Sequence, residues 1–380
     1  MASRMYHELP VEAYTSWEWY RREQDQIFSR VWRYAGLAED ISEPGQYTTV
    51  EAGRNSILIV MGRDHRLRAF HNICRHRGTR LLRATGKAQR AITCPYHDWT
   101  YDLEGCLIAV PDAEKEYPSG VDRSRLGLKA ASVDIWRGML FVHPDPPGRS
   151  PSLVQWFGAV DPHLGPVQPA DLIEDPAQRT SYEVKANWKI VIENYVDVYH
   201  LSHLHSATLN MYDHAKAEYG WHGPHYAFWE PLFAEGGDRH GNEGQTGSDD
   251  HGVWVPMLFP GIGFAASVYD WSSYVVIPLA PDLTRIESRT KVVPKSTWSS
   301  FRQEWLSARS WLGRGNAKVS RAEAAGDDDP LASGNFTLED VYACEQQQKS
   351  LTSPFFEVGP AAAGESPVIH HQRVVLDFLG

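Results

Sequence analysis

NWKIVIENYVDVYHLSHLH, residues 187–205, is the stretch from which the rest of the chain is read. Trp188, Ile190, Val191, Ile192 and Tyr195 recur at helical spacing with neither Pro nor Gly among them, so the spacing predicts a helix with one buried face. Asp197, His200, His203 and His205 follow directly. Two imidazoles and a carboxylate on one side of a metal form the donor set of non-haem iron(II) sites. On a straight helix His200 and His203 are neighbours at i, i+3. His200 and His205 lie five apart, about 140° around the helix axis. Pairing those two requires a break or a π-type bulge. The stretch alone leaves the choice open.

Upstream, residues 71–101 read HNICRHRGTRLLRATGKAQRAITCPYHDWTY. Cys74-x-His76 is followed after seventeen residues by Cys94-x2-His97. Two thiolates and two imidazoles in paired loops suit a tetrahedral zinc site or a Rieske [2Fe–2S] centre, in which two His replace two Cys on one iron. Arg-Gly after the first His, Pro-Tyr inside the second pair and Trp-Thr-Tyr beyond it turn the reading toward the Rieske centre.

CRHRG and CPYHDWTY, followed about a hundred residues on by NWK…EN…DxYHxxxxH, resemble the α subunits of Rieske non-haem iron oxygenases, the aromatic-ring-hydroxylating oxygenases. The resemblance implies that Cys74 and Cys94 hold one iron of the cluster and His76 and His97 the other, with Tyr96 and Trp99 shielding it. It implies His200 and His205 as ligands of a mononuclear Fe(II), and places His203 in the family's variable spacer. Asp197 matches a bridging carboxylate that bonds a ligand His on one side and a Rieske His of a neighbouring subunit, here His97, on the other. Asn194 matches an Asn close to the iron. The third ligand is expected in NFTLEDVYACEQQQ, residues 335–348, as Asp340, with Glu339 and Glu345 as competitors. TLED there also reads as a helix cap.

The implied fold is α+β: an N-terminal antiparallel β Rieske domain, then a catalytic domain with a twisted antiparallel sheet covered by helices. Expected boundaries are 1–40 for a helical segment packing on the catalytic domain, 41–147 for the Rieske domain and 148–380 for the catalytic domain. Residues 13–34 read as an amphipathic helix with Trp17, Tyr20, Ile27, Phe28, Val31 and Trp32 inward. QYTTVEA, SILIVMG, LRAFHNIC, QRAITCP, LKAASVDIW and GMLFVHP then read as short strands. Residues 234–252 have almost no apolar content and are expected to be a mobile loop. Helices are expected over 297–312 and 338–351. Of the four Cys, Cys106 and Cys344 lie outside the cluster and are expected to be buried small hydrophobes.

Composition narrows the function further. Hydrophobic content of 42% over 380 residues is enough for more than one core. No eighteen-residue apolar run or signal-peptide core is present, so a cytoplasmic location is expected. Net charge of −11 without a basic block argues against nucleic acid. No Gly-rich dinucleotide motif is seen, so electrons from NAD(P)H are expected through a separate reductase or ferredoxin. A head-to-tail homotrimer, with or without a small β subunit, follows from the bridging role of Asp197. The first reading of the reaction is mono- or dioxygenation of an aromatic substrate. Its alternative is oxidation and N-demethylation of a choline- or betaine-like quaternary ammonium compound, because rings such as Tyr199, Trp221, Tyr226, Phe264 and Trp271 can line either pocket. A zinc-stabilised ligand-binding protein is the reading from another class.

Overall fold

The computed structural model describes residues 5–88, 90–233, 252–294, 326 and 329–380. The mobile loop expected at 234–252 falls outside the described residues save for Gly252, and the helix expected at 297–312 falls outside them entirely. The chain forms two compact units, Arg21–Gly158 and Met1–Tyr20 with Ala159–Gly380. Among the described residues no helix is long and apolar enough to cross a membrane.

In the first unit, a seven-stranded antiparallel sheet has the spatial order Arg33–Leu37, Met139–His143, Ala130–Trp136, Leu67–His71, Asn55–Met61, Gln46–Ala52 and Thr85–Lys87. The run Asn55–Met61 is buried along nearly its whole length, as a central strand must be. A separate three-stranded sheet, Ile92–Thr93, Thr100–Tyr101 and Leu107–Ala109, carries the second Cys/His loop. Leu58, Val60, Phe70, Trp99, Tyr101 and Leu107 form a core that includes both Cys74 and Cys94.

The first forty residues depart from expectation. Helices α1 (Glu12–Thr15) and α2 (Trp17–Glu23) are short, a wide π turn covers Gln24–Phe28, and Arg33–Leu37 is a strand. Ile27, Phe28, Val31 and Trp32 are buried, but Trp17 is 54% exposed. The helical period gives way because this segment can complete the sheet beside Met139–His143. Backbone pairing at a sheet edge outweighs weak helix propensity in Val, Trp and Tyr. The unit also runs on past the expected end at 147. The Trp32 indole donates to the Pro151 carbonyl at 2.9 Å, and Phe157 stacks on Trp136 at 4.4 Å. Cys106 is exposed rather than buried, held on a turn by its N–H donating to Asp102 Oδ1 at 2.8 Å. Cys344 is buried.

The second unit is an eight-stranded antiparallel sheet. Its main path runs Ile173–Val184, Leu283–Val292, Asp270–Ala280, Ile262–Ala266, Gly252–Trp254, His225–Pro231 and Glu218–His222. Among the described residues, helices α3 (Trp188–Val196), α4 (Phe336–Ser350) and α5 (Ser366–Leu379) belong with it, together with α1. Helix α3 is capped by Asn187, whose side chain accepts from Lys189 N–H, and it buries seven of its nine residues. The cap of α4 is Asn335, two residues before the expected Thr337, with Oδ1 taking the Thr337 and Leu338 N–H groups.

A buried polar cluster joins α1, α3 and α5. Glu193 accepts from the Tyr14 hydroxyl at 2.8 Å and from Gln372 Nε2 at 3.3 Å. Burial pushes its carboxyl up to about 7, against the downward pull of those two hydrogen bonds. The folded protein therefore holds a proton that the unfolded chain gives up near the ordinary glutamate value. Stability falls as pH rises through that window, and above it the buried charge costs roughly 3 kcal/mol. Glu193→Gln is expected to raise the melting temperature at pH 8 and leave it nearly unchanged at pH 4.5. Melts of both proteins across pH check this, and equal pH dependence would count against it.

Candidate active site

The first centre lies in the β-rich unit and is built from two loops of matching design. Cys74 N–H donates to Thr79 O at 2.9 Å, and Gly78 N–H donates to Cys74 O at 3.0 Å. In the other loop Cys94 N–H donates to Trp99 O at 2.9 Å, and Asp98 N–H donates to Cys94 O at 3.1 Å. Gly78 and Asp98, each four residues after its Cys, both have positive φ, 79° and 55°. Glycine meets that need without strain, and Asp is one of the few other residues that tolerate it. The two loops bring the rings of His76 and His97 to 4.8 Å.

Both thiols are buried, and the Tyr101 hydroxyl lies 3.4 Å from Cys74 Sγ while accepting the Arg75 N–H at 2.9 Å. Trp99 stacks on His76 at 4.9 Å and is buried, whereas Tyr96 lies against His97 at 3.7 Å and is 55% exposed. His76 Nδ1 is buried with no hydrogen-bond partner. Burial, and then His97, push the His76 imidazole down, which keeps it in the neutral form a metal needs. An orphaned buried nitrogen beside two buried thiols fits a Rieske cluster.

The second centre begins where α3 stops. Asp197 leaves the helix with an extended backbone, φ −69° and ψ 122°, and its Oδ1 accepts the Tyr199 N–H at 2.7 Å. A short acidic side chain that offers the backbone a competing acceptor ends a helix without Pro or Gly. Two separate turns follow. The His200 carbonyl accepts from Leu204 N–H at 2.7 Å, and the His205 carbonyl accepts from Leu209 N–H at 2.9 Å. Because each His opens its own turn, the two rings meet, 5.0 Å apart. His203 points elsewhere, with Nδ1 donating to Tyr199 O at 3.0 Å, and is exposed.

Helix α4 supplies the carboxylate. His200, His205 and Asp340 offer ligand atoms that all lie within 4.8 Å of one another. Asp340 Oδ1 is 3.0 Å from His205 Nε2 and 3.7 Å from His200 Nε2, and it accepts Asn194 Nδ2 at 3.2 Å. Asp197 Oδ2 accepts His200 Nδ1 at 3.2 Å. Glu345 lies away from this set, its Oε1 taking the Lys185 N–H at 3.1 Å. Glu339 contacts His205 from the far side, Oε2 to Nδ1, at 2.8 Å.

Burial lowers the His205 imidazole, but the hydrogen bonds to Asp340 and Glu339 outweigh it and push the group up to about 9. Two carboxylates closing on one imidazole make a place that favours a cation. Two Nε2 atoms and one carboxylate on one side of a point form a two-His-one-carboxylate donor set.

Several residues of this site escape a reading by motif. Thr208 carries no spacing signal, whereas Tyr101 closes the CPYHDWTY motif without its role being stated there. Tyr182, Tyr195 and Tyr274 lie on two strands and a helix far apart in sequence. Tyr195 and Tyr274 are 5.2 Å apart, and Tyr195 fits because residue 263 is Gly, where a Cβ would stand 2.7 Å from its ring. Of the aromatics expected in a pocket, Phe264 and Trp271 are core, Trp221 stacks on His370 of α5 at 4.5 Å, and Tyr199 is 51% exposed.

Comparison with known proteins agrees with both centres. The Rieske [2Fe–2S] domain profile matches residues 31–129, and the ring hydroxylating alpha subunit (catalytic domain) profile matches residues 174–380. The chain belongs to this family of Rieske oxygenase α subunits, with the family's [2Fe–2S] domain followed by its mononuclear-iron catalytic domain.

Among its relatives is a glycine betaine monooxygenase oxygenase subunit of Chromohalobacter salexigens, 37% identical over 207 residues, which are 54% of this chain and 44% of that one. A carnitine monooxygenase oxygenase subunit of Acinetobacter baumannii is 29% identical over 280 residues, covering 69% and 71%. The aligned segment thus spans less than half of the first relative's length. Among solved structures, a quaternary ammonium Rieske monooxygenase described for carnitine oxidation and inter-subunit electron transfer superposes with a TM-score of 0.76 at 21% identity, over 100% of this chain and 96% of that one. A naphthalene 1,2-dioxygenase variant bound to phenanthrene gives 0.72 at 18% identity, over 99% and 93%. The shared fold therefore extends to enzymes of both substrate classes.

Proposed function

We propose that the chain is the terminal oxygenase of a system that oxidises an N-methyl group of a choline- or betaine-like quaternary ammonium compound, with O2 and electrons from a separate NAD(P)H-dependent reductase. The observation that carries this reading is the identity of the relatives, which are named for glycine betaine and carnitine. The arene reading, first from motifs alone, has no such support among them. A physical feature of the site agrees. Burial and then the charge of Asp340 push the Tyr182 phenol up, and burial and then Tyr182 push the Tyr274 phenol up, with Asp340 acting in the same direction. Tyrosine faces beside a carboxylate suit a quaternary ammonium group, since ring faces attract cations.

In this proposal Cys74, Cys94, His76 and His97 hold the cluster, and His200, His205 and Asp340 hold the iron. When bound, the cluster supplies single electrons and Fe(II) binds and activates O2. The protein's own part is to orient. Asp197 fixes the Nδ1–H of His200, so that Nε2 faces the metal position, and Asn194 steadies the carboxylate of Asp340.

Asp197 is also proposed to meet His97 of a neighbouring protomer in a head-to-tail ring. The charge distribution supports such an assembly. Residues 21–158 carry twenty Lys and Arg against sixteen Asp and Glu, a net +4, while the rest of the chain carries seventeen against thirty-two, a net −15. Oppositely charged units on identical protomers attract head to tail.

Incubation with a generic reductase, NADH and either choline-type compounds or arenes tests the substrate class. Formaldehyde release coupled to oxygen uptake is expected with the methylated amines. Diol formation from an arene without formaldehyde from any amine would overturn the reading.

A further inference from the structure

We propose that Glu339 is a positioning residue that sets which nitrogen of His205 faces the metal; the proposal rests on the iron-site reading above. Glu339 and Asp340 are consecutive on α4, yet both reach the same imidazole. Glu339 Oε2 is 2.8 Å from Nδ1, and Asp340 Oδ1 is 3.0 Å from Nε2. Glu339 is fully buried, and the same Oε2 accepts the Thr208 hydroxyl at 2.8 Å. Thr208 belongs to the turn that His205 opens, its N–H donating to the His205 carbonyl at 3.1 Å. One carboxylate oxygen thus fastens both the ring and its turn to α4.

The chemistry follows from the two nitrogens of imidazole. A neutral ring with its proton on Nδ1 offers the Nε2 lone pair, and an acceptor at Nδ1 selects that tautomer and makes Nε2 more basic. His200 is treated the same way by Asp197, three residues before it. His205 has no local carboxylate, so the fold brings one from 134 residues away. Both imidazoles therefore present Nε2 toward Asp340, each backed by its own carboxylate. Glu339 reaches His205 on the side opposite Asp340 and is not itself a ligand.

Co(II) titration of the cluster-containing protein, depleted of mononuclear iron, tests this with visible absorption as the readout. Glu339→Gln keeps an acceptor but removes its charge and is expected to weaken Co(II) binding about tenfold. Glu339→Leu removes the acceptor and is expected to weaken it about 100-fold and to change the ligand-field bands. Thr208→Val, which leaves Glu339 in place, keeps the bands and loses less affinity than Glu339→Leu. An unchanged circular-dichroism spectrum and thermal melt report that each variant has folded. Wild-type affinity and bands in both Glu339 variants would overturn the proposal. So would a loss of Co(II) in Glu339→Gln as complete as in Asp340→Ala, since that would make Glu339 a ligand. Failure of the unmutated protein to bind Co(II) would overturn the metal-site reading instead.

Discussion

Asp340→Ala should leave the protein with its cluster and without its mononuclear iron. Total iron is expected to fall from about three to about two atoms per chain, with the visible spectrum of the cluster unchanged and oxygen uptake lost. The reason is geometric. Asp340 Oδ1 is the atom on which both Nε2 nitrogens and the Asn194 amide converge. Without it two neutral imidazoles remain, and they supply no charge to balance a divalent ion. Glu345→Ala serves as the control, because Glu345 accepts from the Lys185 backbone and should cost no iron. Three iron atoms retained by Asp340→Ala, or one lost by Glu345→Ala, would reverse the assignment.

Asp197→Asn should separate metal content from electron flow. The amide oxygen can still accept from the Tyr199 N–H, so α3 should end as before, but the Nδ2 that replaces Oδ2 cannot accept from His200 Nδ1, so mononuclear iron is expected to bind about tenfold more weakly and to be restored by loading with excess Fe(II). What is lost is a charged acceptor between the two centres in the proposed assembly. Product formation is expected to fall about 100-fold, the upper end for loss of an outer partner of a metal ligand. In rapid mixing, the reduced cluster should stay reduced in the presence of substrate and O2. Reoxidation at the wild-type rate would remove Asp197 from the electron route.

The parts of this molecule that were legible from sequence share a local cause. The Cys/His loops announce themselves because each is closed within a few residues, Cys74 to Thr79 and Cys94 to Trp99. Short strands such as Gln46–Ala52 and Ala130–Trp136 could be read from alternation and bounding turns. Period alone did not select His205 over His203, because the helix has already ended when the ligands begin. The resemblance to known oxygenases names His200 and His205, and the coordinates bring those two rings to 5.0 Å after Asp197 captures the Tyr199 N–H and ends the helix. The segment after Phe28 has a helical period in sequence yet forms a strand, because its partner, Met139–His143, lies a hundred residues downstream. Glu339 stands among the candidate ligands in sequence, and the structure sets its Oε2 against Nδ1 of His205, since whether a carboxylate meets one side of an imidazole or the other depends on helix rotation.

The early end of α3 also bears on how such a chain can change over generations. Up to Val196 every residue is locked to its neighbours by the helical screw, so an insertion there would swing Asn194 about 100° away from Asp340. Past Asp197 the backbone is a pair of independent loops, and extra length between Leu201 and Leu204 can bulge outward while both rings keep their places. Drift in spacing is therefore tolerated on one side of a single residue and forbidden on the other.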